Sequence, residues 1–492
     1  MQYDIFFVTL QTNCKLTNKN VELLETFLND LSSLMWGYPL IILLVGTHVF
    51  LTVRLKFPQR KILTAIKLSI HKDENSKGDV SQFGALATAL AATIGTGNII
   101  GVGTAIALGG PGAVMWCWLT GVFGIATKYG EGLLAVKYRQ VSEKGYMVGG
   151  PMYALEYGLH AKWAGILFAL FTCLATFGIG STVQANAIST LSEEMLGVSP
   201  YIIATIVSVL TALVIIGGIK GIAKVCTALV PFMAVLYVLG CLVILCMNAE
   251  YVWPAIKLIC TSAFTNEAAG GGFVGSTIMI AARYGIARGL FSNESGLGSA
   301  PIVAASAKTR NPVRQALVSS SGTFWDTVVI CAITGIVIVS SVLSYCDVSE
   351  LDHNILGSIF TKMLQENAAS MDGGKLTTLA FSKIPYIGKP ILLFGLTTFA
   401  FTTILGWAIY SQRAVEYMLG YKAVRAWTWI HVAAVFLGAV VSLDMVWAIA
   451  DISNALMAIP NLLALILLSN VLAKDTNKYL WGNRLDEDAM ED

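Results

Sequence analysis

The sequence predicts an all-α integral membrane protein of eleven transmembrane helices, in which two inverted five-helix repeats follow one extra helix. Three observations predict it. Of the 492 residues, 55% are apolar and only 13% charged, with a mean hydropathy of +0.69, whereas a soluble domain carries about a quarter of its residues as charged side chains. Basic residues recur in every second loop. Two spans, and only two, are interrupted at mid-depth by glycines and small polar residues.

Crossing a bilayer takes about 20 mostly apolar residues. By that ruler helices are expected near 36–55, 81–108, 111–136, 163–190, 200–218, 225–248, 272–307, 317–344, 390–418, 426–443 and 446–472. The loop after the first carries Arg54, Lys56, Arg60, Lys61, Lys67, Lys72 and Lys77. The bias returns at Lys137, Arg139 and Lys144, at Lys220 and Lys224, at Lys308, Arg310 and Arg314, and at Lys422 and Arg425. Positively charged loops stay in the cytoplasm, so the amino terminus is expected outside and the carboxyl terminus inside. Residues 1–35 then form an extracytoplasmic segment without signal-peptide features, 36–55 the extra helix, 81–248 the first repeat, 272–472 the second and 473–492 a cytoplasmic tail. The stretch from Cys346 to Lys389 is expected outside, with a short interfacial helix, and Cys14, Cys260 and Cys346 are the cysteines placed where a disulfide could form. A net charge of +2 argues against an extended basic surface for nucleic acid.

The first interruption is "ATIGTGNIIGVGTAIALGG", Ala92 to Gly110, in a run with no acidic or basic residue between Asp79 and Lys128; the second is "GLFSNESGLGSAP", Gly289 to Pro301. Asn98 and Asn293 are about as far apart as Ser81 and Gly275, so the breaks occupy matching places in two five-helix halves, and the odd helix count inverts the second. Paired breaks of this kind point to a transporter's midplane site. Irregular backbone at membrane depth survives only where it is buried in protein or lines a cavity. The first break offers amides from Asn98 onward and carbonyls around Ala92, Thr93 and Ile94. The second offers carbonyls near Gly289, Leu290 and Phe291 and amides near Ser295 to Gly298. Anions suit the amides and cations the carbonyls, so a small zwitterion travelling with a metal cation would use both. "GNIIG" also fits close helix packing, but Glu294 at mid-span, costing roughly 3 kcal/mol to insert, favours function. Glu294 is expected either to help open and close the pathway or to pair with Arg288, ahead of direct ligand contact, and Arg283, Asp326, Lys128 and Glu131 read as paired structural charges.

These segments, with "GSTVQANAIS" (Gly180 to Ser189) and "TTILGWAIYSQR" (Thr402 to Arg413), closely resemble the signatures of the alanine or glycine:cation symporter family, from Trp36 to Ala473. The resemblance implies a LeuT-type fold and sodium-driven import of a small neutral amino acid across the cell inner (plasma) membrane, with sodium as coupling ion and no cofactor. It also implies a pocket built from Thr96, Gly97, Asn98, Gln184, Phe291, Ser292 and Asn293, with Trp407 as the wall limiting side-chain size. Thr402 and Thr403 would offer hydroxyls to sodium, completed by oxygens at Thr93 and Thr96. Gln184 also suits an interhelical hydrogen bond. The family more often has Ser at position 402 and Ala at 295.

Import of glutamine, coupling to protons and a non-transporting amino-acid sensor stand as alternatives. The sequence has no GxxxxGK[ST] loop for ATP, and no nucleophile–base pair or clustered metal site, so no enzyme is expected.

Overall fold

The computed structural model describes residues 24, 26–28, 30–71, 73, 76–264, 278–345, 373–441 and 444–489, with the side chains of 444–448 excepted. Cys14, Cys346, residues 272–277 of the seventh expected span and residues 346–372 of the expected external segment lie outside this set. So does most of the expected amino-terminal segment.

The described chain is helical apart from one two-stranded antiparallel hairpin, Gln140–Val141 with Met147–Val148. Its principal helices are α1 Tyr38–Arg54, α2 Gln82–Thr93, α3 Gly97–Gly109, α4 Gly112–Lys137, α5 Lys162–Leu196, α6 Pro200–Ile216, α7 Gly218–Met247, α8 Ile278–Asn293, α9 Pro312–Tyr345, α10 Gly373–Phe381, α11 Gly388–Leu419, α12 Tyr421–Val440 and α13 Asp444–Leu467. Seven described helices are long and apolar enough to cross a membrane, α1 when taken with the helical turns that precede it from Thr26, and eight when α2 and α3, bent by 52° at their junction, count as one. Three further expected spans depart from a plain apolar rod. Helix α4 has the length but carries Lys128, Glu131 and Lys137, α6 has 17 residues, and the span containing α8 is broken after Asn293.

Where each helix sits follows from its sequence. Helix α4 is buried along most of its second half, Ile125 to Val136, and packs against α8 and the start of α9. By contrast, α7 and α12 expose apolar side chains such as Phe232, Val235, Ile430 and Leu437, as surfaces that face acyl chains must. Ser81 caps α2, its hydroxyl accepting from the Gly84 amide, which fixes where that helix begins. Asn311 does the same for α9 through the Arg314 amide.

At one end of the bundle the backbones before α2 and after the second break are joined. The Lys308 amide donates to the Val80 carbonyl at 2.8 Å and the Asp79 amide to the Ser306 carbonyl at 2.8 Å. Arg139 spans this seam, donating to the carbonyls of Ala305, Ala307 and Lys77. Beside it Asp73 forms an ion pair with Arg314 at 2.8 Å, both side chains at most 2% exposed.

Candidate functional site

Helices α2 and α3 meet at Ile94–Thr96, where the backbone leaves helical geometry. The break is braced by its own side chain: Asn98 Oδ1 accepts from the Gly95 amide at 2.9 Å. Asn98 Nδ2 donates to Asp326 Oδ1 at 2.8 Å and to the Asp326 carbonyl at 3.2 Å. Asp326 also accepts from Ser292 Oγ at 2.8 Å and Thr327 Oγ1 at 2.6 Å. One buried carboxylate on α9 therefore ties the first break to the second.

The two breaks are in van der Waals contact. A methyl group added at Gly97 would lie 2.9 Å from Phe291 Cδ1 and 3.3 Å from Ser292 Cα, so only glycine allows this approach. Gln184 Oε1 accepts from the Thr96 amide at 3.4 Å, and its amide nitrogen returns to the Ile179 carbonyl at 3.1 Å. Thr96, Gly97, Asn98, Gln184, Phe291 and Ser292 thus gather at one place. Thr96 Oγ1 there is buried without a hydrogen-bond partner.

A cavity of about 380 Å³ reaches this place. Thr96, Gly97 and Phe291 stand on its wall, and Glu194 and Lys375 lie along it, in segments expected to be external. The Val80–Lys308 seam belongs to loops expected to be cytoplasmic.

A second cluster consists only of oxygen. Thr403 Oγ1 lies 3.1 Å from the Ala91 carbonyl, 3.3 Å from that of Ile94 and 3.0 Å from that of Phe399, and Thr402 Oγ1 lies 3.0 Å from the same Phe399 carbonyl. Five hard oxygens and no nitrogen or sulfur donor suit an alkali or alkaline-earth cation. The carbonyls facing Thr403 are that of Ala91, in the last turn of α2, and that of Ile94, the extended residue that ends it; Thr93 Oγ1 instead bonds the Leu90 carbonyl at 3.4 Å.

Other expected positions are occupied differently. The amides of the second break do not await a ligand, since those of Gly296 and Gly298 both donate to Glu131 Oε1 at 3.0 Å. Asn293 faces into this arrangement, its Oδ1 accepting from the Ser295 amide at 2.9 Å. The Glu294 carboxylate accepts from Ser299 Oγ, and the Arg288 guanidinium lies 5.9 Å from the Phe291 ring centre. The backbone at Glu294 is left-handed, φ 54°. Trp407 is fully buried against Gly180 and edge-on to Tyr410, and it is not on the wall of the open cavity.

Sequence reasoning set Asp326, Lys128 and Glu131 aside as structural charges. A signal was available in their neighbours, for the exposed ends of a broken helix away from water need side-chain donors and acceptors, and charged side chains at membrane depth are among the groups able to supply them. Three π-helical stretches also converge here, Gly97–Gly101, Thr176–Thr182 just before Gln184, and Phe324–Cys331 around Asp326. Such widened turns recur at functional sites and have no sequence signature.

The sequence profile described as the sodium:alanine symporter family matches residues 21–492. The chain is 46% identical to the sodium/alanine symporter AgcS of Methanococcus maripaludis, over 92% of this chain and 97% of that one. It is 48% identical to a transporter of Haemophilus influenzae, over 95% and 99% respectively. With the probable sodium/glutamine symporter GlnT of Bacillus subtilis it shares 32% identity over 95% and 93%. Among solved structures it resembles MhsT in complex with L-phenylalanine, at a TM-score of 0.52 and 15% identity, over 83% of this chain and 95% of that one. That likeness is one of fold, of the LeuT type.

Proposed function

Because the chain belongs to the sodium:alanine symporter family, a family of sodium-coupled amino-acid symporters of the plasma membrane, we propose that it imports alanine or glycine with sodium by alternating access. Eleven spans in two inverted repeats, with the amino terminus outside, complete the reading. The observation that carries it is the junction of the two clusters. The oxygen set around Thr403 sits on the last turn of α2, and the cavity ends on the residues immediately following, Thr96 and Gly97.

In this reading sodium is held by lone pairs of the Thr402 and Thr403 hydroxyls, whose protons turn away from it, and by the carbonyls of Ala91, Ile94 and Phe399. The ion then fixes the end of α2 and with it the shape of the break. The amino acid lies at the inner end of the cavity, against Thr96, Gly97 and Phe291, with Gln184 and Asn98 holding the backbone around it and Ser292, Asn293 and Trp407 beyond. Sodium and substrate favour one backbone arrangement, which is what couples them. The open cavity is the external vestibule and the Val80–Lys308 seam the closed inner gate.

The test is uptake by the protein reconstituted in liposomes. Labelled alanine should accumulate when sodium is higher outside, and a counterflow series with glycine, glutamine and larger neutral amino acids should rank the substrates. Equal alanine uptake with choline in place of sodium would remove the coupling claim, and a proton gradient that restored accumulation would replace it. Glutamine outranking alanine would reassign the substrate.

A further inference from the structure

Helix α4 meets the second break with two opposite charges one turn apart. Lys128 Nζ donates to the Asn293 carbonyl at 2.9 Å, at the end of α8 where helical carbonyls run out of partners. Glu131 Oε1 accepts from the Gly296 and Gly298 amides at 3.0 Å each, and from Asn461 Nδ2 at 2.7 Å. Asn461 also donates to the Gly296 carbonyl at 2.9 Å. Between the two charges the chain runs through left-handed backbone, with φ 54° at Glu294, 93° at Gly296 and 83° at Gly298. Amides presented in succession this way form a concave anion site. A carbonyl end is electrically negative and an amide end positive, so each charge faces the end of opposite sign.

We propose that Lys128 and Glu131 are a pair of positioning residues, holding the carbonyl end and the amide end of the second break so that Phe291 and Ser292 stay against Gly97 before any ligand arrives. Three features support it. The side chains are 3% and 2% exposed, so water does not compete for either end. Their contacts are to backbone, which sets the path of the break and not merely its surroundings. Spacing of three on a helix puts both on one face, so the distance between the charges is fixed by α4 and the break must match it. Glu294 and Asp326 are the other buried carboxylates nearby; Asp326 is committed to Asn98, Ser292 and Thr327, and Glu294 to Ser299.

The inference rests on the carrier reading for its kinetics but not for its geometry, and the experiment separates them. Wild type, Lys128→Met, Glu131→Gln and the double variant would be purified in lipid nanodiscs, and hydrogen exchange followed across 293–300 with no ligand present. In proteoliposomes the same proteins would give KM and maximal rate for alanine. Each single variant should speed exchange at 293–300 about tenfold with other helices unchanged, and raise KM about tenfold with the maximal rate within twofold. The double variant, with neither end of the break held, should exchange faster than either single variant and show a KM at least as high. Single variants with wild-type exchange and KM overturn the proposal, as does a double variant that returns to wild-type exchange, which would make the two residues a charge pair and not clamps on the backbone. Wild type that exchanges slowly at 293–300 yet shows no sodium-driven uptake defeats the carrier reading alone, and the exchange data still decide this one.

Discussion

Thr403 Oγ1 lies 3.1 Å from the carbonyl oxygen of Ala91, so a hydroxyl of α11 meets the last turn of α2 beside the first break. A hydroxyl is one of about five oxygens around the ion in the proposed site, and its loss should weaken sodium binding without destroying it. Contributions of about 1 to 3 kcal/mol shift a midpoint several-fold to a hundredfold. Thr402→Ala and Thr403→Ala are each expected to raise the sodium midpoint at fixed alanine by at least fivefold, with little change in alanine affinity at saturating sodium. Unchanged midpoints in both would move the ion elsewhere.

Gly97→Ala should separate the breaks. Its new methyl would sit 2.9 Å from the Phe291 ring, closer than Cβ atoms are found, whereas at Gly101 the nearest atoms are 3.8 and 3.9 Å away. Alanine uptake is expected to fall more than tenfold in Gly97→Ala and less than twofold in Gly101→Ala, at equal amounts of folded protein. Equal effects at the two positions would show that helix propensity, not the contact with Phe291, governs this segment.

Trp407 is packed so closely against Gly180 that a methyl there would come within 2.5 Å of its Cβ. Removing the indole should relax the size limit, so in Trp407→Ala leucine and glutamine are expected to compete with alanine better than in wild type. Competition profiles of the folded variant decide it, and an unchanged rank order with weaker binding throughout would make the residue structural.

The ion pair of Asp73 with Arg314 joins the segment before α2 to the start of α9 away from water. Breaking a buried pair by removing one partner costs about 3 to 5 kcal/mol. Asp73→Asn should therefore lower the midpoint of thermal unfolding in detergent clearly, and Asp486→Asn, which removes an 87% exposed partner of the same arginine, should barely alter it. Comparable losses would mean that solvent already screens the buried pair.

What could be read from the sequence was what the bilayer demands. Apolar runs and the placement of glycines pointed to the helices and both breaks, and Gly97 and Asn98 stood out as residues unsuited to a helix interior, their place in the pocket being what the family resemblance implied. What was not legible depended on which side chain fills which unpaired backbone group. Lys128 and Glu131 look like any i, i+3 charge pair until α4 is placed against α8, and Asp326 acquires its role only when Asn98 and Ser292 reach it from different helices. The sequence suggested oxygens at Thr93 and Thr96 for the ion, whereas the Thr403 hydroxyl lies against the carbonyls of Ala91 and Ile94; which carbonyls a hydroxyl of α11 meets depends on rotation about the helix, a quantity no motif records.

The cavity that ends at Gly97 and Phe291 is several times the volume of alanine. Entry alone therefore discriminates little, and selection must occur when the walls draw in around the occupant. Pharmacologically, this separates ligands from passengers: neutral amino acids somewhat larger than the true substrate should enter, obstruct closure and leave by the way they came. Such compounds are expected to behave as competitive blockers that produce no counterflow of their own, a distinction visible by comparing inhibition of labelled alanine uptake with uptake of the labelled blocker itself.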